Sequence, residues 1–378
     1  MSEIEKLHEP PGPLAGLRVL EFSSLGPVPF CAMLLADMGA EVVHVARPGP
    51  ARDASEDVTL RGRRMIPLDL KQESERQTAR ELAIHADVLL EGHRPGVMER
   101  LGLGPETLCA ANPRLIYARM TGWGQDGPLA RTAGHDINFI ALSGALHAIG
   151  TAEGPVPPLN LVGDYGGGAL FLAFGVLCAV IEMRASGRGQ VIDGAMIDGA
   201  ALLMAQSYTQ LARGSWSARR GDNQLDGGAP WYTTYETSDG KYVAVGAIEE
   251  KFWRELLARL GIEPATLPAR EQREHWATTK EVLARAFRQR SREEWTQLFR
   301  GTDACVTPVL ELSESADDVH LKARGCFAEI QGTTHPAPAP RLSRTPGRIR
   351  ATLAEPGTAN EVLREWGVEL SVPGTLRS

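Results

Sequence analysis

The first 120 residues alternate two hydrophobic rhythms, and this alternation constrains the fold more than any other feature. "LRVLEF" is a short β-rich run, and "SSLGPVPFCAMLLADMGA" turns and continues with helical spacing. "EVVHVAR" and "RRMIPLDL" read as strands, "ESERQTARELAIHA" as a helix and "DVLLEG" as a strand. Gly39 falls where the first helix must stop, and glycine enters the left-handed region freely. Strand–helix–strand repetition of this kind predicts a parallel sheet with helices on its faces. "LIYARMTGW" is expected as a further strand, and the segment from Gln190 to Tyr208 as a strand leading into a helix.

A chain of 378 residues exceeds one ordinary core, so two domains are expected. The rhythm changes after about Ser215. "SARRGDNQLDGGAP" is rich in turn formers and reads as a linker. "WYTTYETSDGKYVAVGAI" predicts a hairpin turning at Asp239-Gly240. Amphipathic helices follow in "EEKFWRELLARLG" and "KEVLARAFRQRSREEWTQLF". The expected organisation is a large domain over 1–215, a smaller α+β domain over 220–325, and a return to the large domain over 326–378. The proline-rich "HPAPAPRLSRTPGRIRA" is expected to lie extended over the large domain.

Several function classes are excluded by what is missing. The loop after the first strand is "SSLGPVPF", with one glycine and two prolines, so it lacks the GxGxxG of a dinucleotide site. There is no GxxxxGK[ST], GxSxG or HExxH. Five scattered cysteines without a CxxC, and His135 and His147 with no cysteine near, speak against a metal site. A net charge of −7 argues against nucleic acid as a partner. The N-terminus is polar and proline-rich, unlike a signal peptide. The longest apolar run, "ALFLAFGVLCAVI", is shorter than a membrane span and reads as a buried helix. Free thiols suit a reducing compartment, so the expectation is a soluble cytoplasmic protein with no membrane partner.

What remains are polar residues in apolar settings. His135 stands in "AGHDINF" after a glycine and before an apolar run, where it is expected to be half-buried. Asn160 and Asp164 stand in "PPLNLVGDYGGG", with Gly163 before the aspartate and three glycines after Tyr165. An aspartate there can simply cap a helix, and a histidine can simply pack. The two together, each on a glycine-flanked turn before a helix, also fit an acid/base pair whose proton affinities are set by burial.

These residues carry a resemblance. "PLAGLRVLEFSSLGPVPFCAMLLADMGAEVVHVARP" resembles the opening of the family III CoA transferases and α-methylacyl-CoA racemases. "EGHRPGVMERLGL", "RLIYARMTGWGQDGP", "AGHDINF", "PPLNLVGDYGGG", "GRGQVIDGAMIDG", "DGGAPWYTTYET", "YVAVGAIE" and "DACVTPVL" are similar to the racemase branch, and the likeness runs from about Pro13 to Arg344. It implies an α/β fold: a large Rossmann-like CoA-binding domain with a parallel sheet, plus a smaller α+β domain, in an interlocked homodimer. The active site then lies between the large domain of one subunit and the small domain of the other.

By the same resemblance, His135 and Asp164 are the two bases, Glu249 orients the histidine from the partner subunit, and Asn160 lies beside the aspartate. Similar racemases usually have proline after that glutamate, where this chain has Glu250. Arg47 is placed near the nucleotide's phosphates. Leu68, Asp69, Leu70 and Lys71, then Gly92, His93 and Arg94, and Arg100 match the rest of the CoA pocket. Gly134, Asp136, Ile137, Asn138 and Phe139 are expected beside the pantetheine and thioester; relatives often carry tyrosine at Phe139. The substrate implied is an acyl-CoA thioester in fatty acid metabolism. CoA belongs to the substrate and no further cofactor is implied. Helix N–H groups after Asp164 are expected to steady an enolate. The alternatives are a CoA transferase using Asp164 as a nucleophile and a non-catalytic CoA-binding protein.

Overall fold

The computed structural model describes residues 12–49, 57–350 and 358–368. The polar N-terminal stretch noted above lies largely outside them. Contacts divide the chain into two units, Met1–Ser143 with Leu159–Leu203 and Lys322–Ser378, and Gly144–Pro158 with Met204–Leu321. The stretch 144–158 and the helix Ala205–Ala212 therefore group with the second unit, whereas composition had put the break near 215.

The first unit is built on six parallel strands: β1 (Arg18–Phe22), β2 (Glu41–Ala46), β3 (Arg63–Pro67), β4 (Val88–Glu91), β5 (Ile116–Thr121) and β6 (Val191–Ala195). Their order is β3-β2-β1-β4-β5-β6, so the chain reverses its direction of winding between β1 and β4. Side chains alternate across a pleat, and both faces are covered. Val19, Val42, Val88, Leu90, Ile116 and Ala118 pack with the helices Pro27–Asp37 and Leu170–Ser186. Leu20, Val43, Val45, Leu89 and Tyr117 pack with the helices Glu73–His85 and Ala359–Glu365. That is why these strands read as near-continuous apolar runs.

Charges inside the sheet are paired, as burial requires. Glu21 is fully buried and accepts from Arg63 Nε at 3.0 Å, with His44 Nδ1 at 2.9 Å. Burial pushes its proton affinity up, but Arg63 and His44 together outweigh that and hold it below the usual carboxylate range. Arg61 binds Asp37 through Nε at 3.0 Å and reaches Pro336 O through Nη1 at 2.8 Å. The described residues 322–350 and 358–368 group with this unit. A hairpin of β10 (Phe327–Ile330) and β11 (Thr333–Pro336) leads to Arg348, whose N–H donates to Asp37 O at 2.8 Å.

The second unit holds an antiparallel sheet of β7 (Tyr232–Glu236), β8 (Tyr242–Gly246) and β9 (Val306–Pro308), in the order β7-β8-β9. Gly240 takes a positive φ of 71° in the expected β7–β8 turn. Trp231, Trp253, Phe287, Trp295 and Phe299 fill its core. The segment expected as one long helix is two, Trp276–Phe287 and Arg292–Phe299. Ser291 and Glu294 form a capping box that starts the second one afresh. The expected linker is a closed loop instead: buried Asn223 bonds Ser217 and Asp226, and Asp226 accepts from Gly221 N–H.

One expectation about burial is overturned. Leu161–Ser186 forms a single helical run of 26 residues, with an 18-residue window of mean hydropathy 1.9, long and apolar enough by length and composition to cross a membrane. It is not enclosed by its own chain. Leu172, Val176 and Val180 are buried against the sheet, while Leu161, Leu170, Phe174 and Ile181 on the other side are exposed.

Candidate active site

The carboxyl ends of the strands, at the point where winding reverses, are where an open α/β sheet leaves a crevice. The loops after β1 and β4 part there. Gly92 packs so closely on Ser24 that a Cβ would lie 3.0 Å from its Oγ. A cleft of about 440 Å³ opens at this place, entirely within the first unit. Ser23 to Val28, Arg47, Gly92 to Pro95, Met120 to Trp123, His135, Phe139 and Asp164 line it.

Asp164 is not at a helix cap. It is the fourth residue of a π-helical turn, Leu161–Ala169, that runs straight into the helix Leu170–Ser186. π-Turns are uncommon and frequently mark functional sites. Here the glycines allow tight packing: a Cβ on Gly168 would sit 2.9 Å from Met196 Cγ, and one on Gly167 would sit 2.6 Å from Ala200 N. The Asp164 carboxylate faces Gly26, whose absent Cβ would lie 3.0 Å from Oδ2. Gly26 has φ 72°, a conformation that favours glycine. Burial, and then the neighbouring Asp136, push the Asp164 proton affinity up, against the pull of Asn160 and His135. Asn160 Nδ2 is 3.5 Å from Asp164 Oδ2, at the outer limit of a hydrogen bond.

His135 is exposed to the cleft instead of half-buried. It precedes the helix Asp136–Leu142 in an extended conformation, and its N–H donates to Asn138 Oδ1 at 3.0 Å. The ring beneath this segment is Phe139, buried edge-on to Trp123 with centroids 4.8 Å apart. Its para carbon, where tyrosine would carry a hydroxyl, abuts Gly122.

Some expected residues fall elsewhere. Asp136 is buried behind the cleft, with Oδ1 accepting from Asp164 N–H at 2.7 Å and Oδ2 without a partner among the described residues. Its carboxylate is therefore not a lining group, because it is spent on the π-turn. Ile137 and Asn138 are exposed but absent from the cleft wall. Leu68 is buried in the sheet core, and Asp69, Leu70 and Lys71 form a turn in which Asp69 Oδ1 accepts from Lys71 N–H at 3.1 Å. Arg100 is exposed and folds toward Gly96. These five stand outside the cleft, whereas Arg47, Gly92, His93 and Arg94 line it. Of the N–H groups after Asp164 expected to steady an enolate, that of Tyr165 is taken by Asn160 O, and the N–H of Asp164 itself is taken by Asp136. Glu249 belongs to the second unit, at the start of the helix Glu250–Leu260, with an exposed side chain.

Sequence reasoning missed the support under the loop Gly92–Arg94. Buried Glu91 accepts from His93 N–H at 2.7 Å and from Arg119 Nε at 2.9 Å, and Arg119 Nη1 reaches Glu99 at 2.8 Å. The available signal was a charged residue in each of two otherwise apolar strands, "DVLLEG" and "LIYARM". Burial, and then Arg47, hold the His93 imidazole below its ordinary proton affinity.

The family model for CoA-transferase family III matches residues 14–358. The chain belongs to that family. Alpha-methylacyl-CoA racemase of Mus musculus is 47% identical over 359 residues, covering 94% of this chain and 93% of that protein. The Homo sapiens protein of the same name is 47% identical over 360 residues, with the same coverage. Among solved structures, a CAIB/BAIF family protein from Brucella suis superposes with a TM-score of 0.80 at 26% identity, covering 94% of this chain and 100% of that one. The α/β architecture with its six-stranded parallel sheet is thus that of a family III protein.

Proposed function

We propose that this protein inverts C2 of 2-methylacyl-CoA thioesters by two-base proton transfer through an enolate. The observation that carries the reading is that His135 and Asp164 both line one cleft, with burial raising the proton affinity of Asp164. The 47% identity to two racemases over nearly the whole chain supports it. Inversion needs one group on each face of C2, with comparable proton affinities. An imidazole removes the proton from one face while a carboxylic acid returns one to the other, and the roles exchange in reverse. The thioester acidifies the α-hydrogen itself, so the reading calls for no cofactor. Arg47 and Arg94 at the cleft suit the phosphates of CoA. A transferase would use the aspartate as a nucleophile; the 47% identity to two racemases over nearly the whole chain favours inversion.

The rest of the proposal concerns assembly and setting. Glu249 of the partner subunit completes each site by orienting His135 and stabilising its imidazolium. Leu170, Phe174 and Ile181 form the kind of exposed apolar face that an obligate homodimer covers. The setting is the cytoplasm, in fatty acid metabolism, for which five free cysteines are suited. The test is replacement of each base: His135→Ala and Asp164→Ala each lower inversion by about 10²- to 10⁴-fold with folding and CoA affinity intact. Full inversion by either variant removes that residue from the mechanism.

A further inference from the structure

Asp136 is a buried carboxylate with an unusual distribution of partners. Oδ1 accepts from the backbone N–H of Asp164 at 2.7 Å, and Oδ2 is buried with no hydrogen-bond partner among the described residues. Gly163 leaves the room for this approach, because a Cβ there would run into Oδ1. A half-satisfied buried carboxylate is costly, and this one sits one residue after His135 and directly behind the turn that bears Asp164.

We propose that Asp136 is a positioning residue for the proton transfer: its carboxylate anchors the π-turn that presents Asp164 and lays a second negative charge beside it. The inference rests on the two-base reading above. Its logic is the mismatch between the bases. An unperturbed imidazole titrates at about 6.5 and an aspartate at about 3.9, so the carboxylate must be lifted before a proton can pass through C2 in both directions. Burial lifts Asp164 first, and the like charge of Asp136 adds to it.

Among the described residues no other acid does this. The helix Asp136–Leu142 faces Asp164 with Asp136, and His135 precedes it; the turn itself supplies Asn160. The helix Pro27–Asp37 presents Gly26 and Pro27, and the helix Met196–Leu203 presents Met196 and the backbone of Gly199 and Ala200. Cys31 lies beside Glu21 and Arg63, and Asp37 is bound to Arg61. Asp193 accepts from Gln125 N–H, Asp198 is exposed to solvent, and Glu182 and Arg184 stand in the far turns of the helix Leu170–Ser186.

The experiment measures C2 proton exchange and inversion against pH for the wild type, Asp136→Asn, Gly163→Ala and Asp164→Asn. Asparagine keeps an oxygen for the Asp164 N–H but removes the charge. The limb of the kcat profile governed by Asp164 should move to lower pH, with KM little changed. Gly163→Ala pushes the carboxylate off its bond and shifts the turn, so kcat should fall on the order of 10²-fold. An Asp136→Asn enzyme with the wild-type profile and turnover, while Asp164→Asn is inactive, overturns this inference alone. A lower melting temperature as its only change does the same. If Asp136→Asn does not fold, a fully active Gly163→Ala overturns it. Inversion retained by Asp164→Asn overturns the two-base reading, and this inference with it.

Discussion

Replacing Gly122 by alanine tests whether the cleft floor is as tightly set as its geometry implies. The new methyl would lie 2.7 Å from Phe139 Cε2 and closer still to Cε1 and Cζ. Carbon atoms pack comfortably at about 3.5–4.0 Å, so the ring must retreat by roughly 1 Å or more. It has nowhere to go. On one side a Cβ at Gly134 would already be 2.7 Å from Cε1, and Trp123 stands edge-on at 4.8 Å. Phe139 is 3% exposed and belongs to the core shared with Val28, Met120 and Met196. Overpacking of this kind costs about 1–3 kcal/mol, and a ring driven out of its site forfeits about 3–5 kcal/mol. Gly122→Ala should therefore destabilise the first unit by about 3 kcal/mol, a drop of about 1 M in urea midpoint for an m-value near 3 kcal/mol/M. The assay is urea unfolding followed by both fluorescence and far-UV circular dichroism, since two units need not unfold together. Phe139→Leu in the same background should return 1–3 kcal/mol as a favourable coupling term, on the usual scale for residues in contact. A Gly122→Ala protein with the wild-type midpoint, or a double variant as unstable as the sum of the two, refutes the packing argument.

Two further outcomes concern Glu249. In mixed dimers of His135→Ala and Glu249→Gln chains, action in trans gathers both lesions into one site and leaves the other intact, so activity should return; verified mixing without activity contradicts the trans assignment. Arg270 lies over Trp231, 4.0 Å from its centroid, and donates to the carbonyls of Ala247 and Ile248 just before Glu249. Arg270→Lys keeps the charge but loses the planar fork and the stacking, and should lower kcat by about tenfold or more with CoA affinity unchanged; wild-type turnover would show that the loop holds without it.

Much of the sheet was legible because its signals are local. Strand runs such as "EVVHVA" are apolar on both faces, and glycine or proline marks their ends. The chemistry was legible in outline for another reason: His135 and Asp164 are polar residues where apolar ones were expected, each beside glycine. The capping box at Ser291 was readable too, yet the helical spacing on either side concealed the break. What could not be read depends on distant contacts. The π-turn has no sequence code of its own, and it exists because Gly163, Gly167 and Gly168 let Asp136, Ala200 and Met196 come close. Asp136 looked like a cleft residue from its place beside His135, and only the fold turns it inward. The helix Leu170–Ser186 looked buried because hydrophobicity reports a preference for cover without saying what supplies it.

The most direct test of the two-base reading is the fate of the C2 proton. A single epimer of a 2-methylacyl-CoA is incubated with the enzyme in D2O, with no added acid, and the early products are separated by epimer and analysed for deuterium. The account predicts inverted product carrying deuterium at C2 from the first turnovers, with the acyl group still on its original CoA. Inversion with complete retention of the protium, or no reaction until a second carboxylic acid is added to receive the CoA, would contradict it.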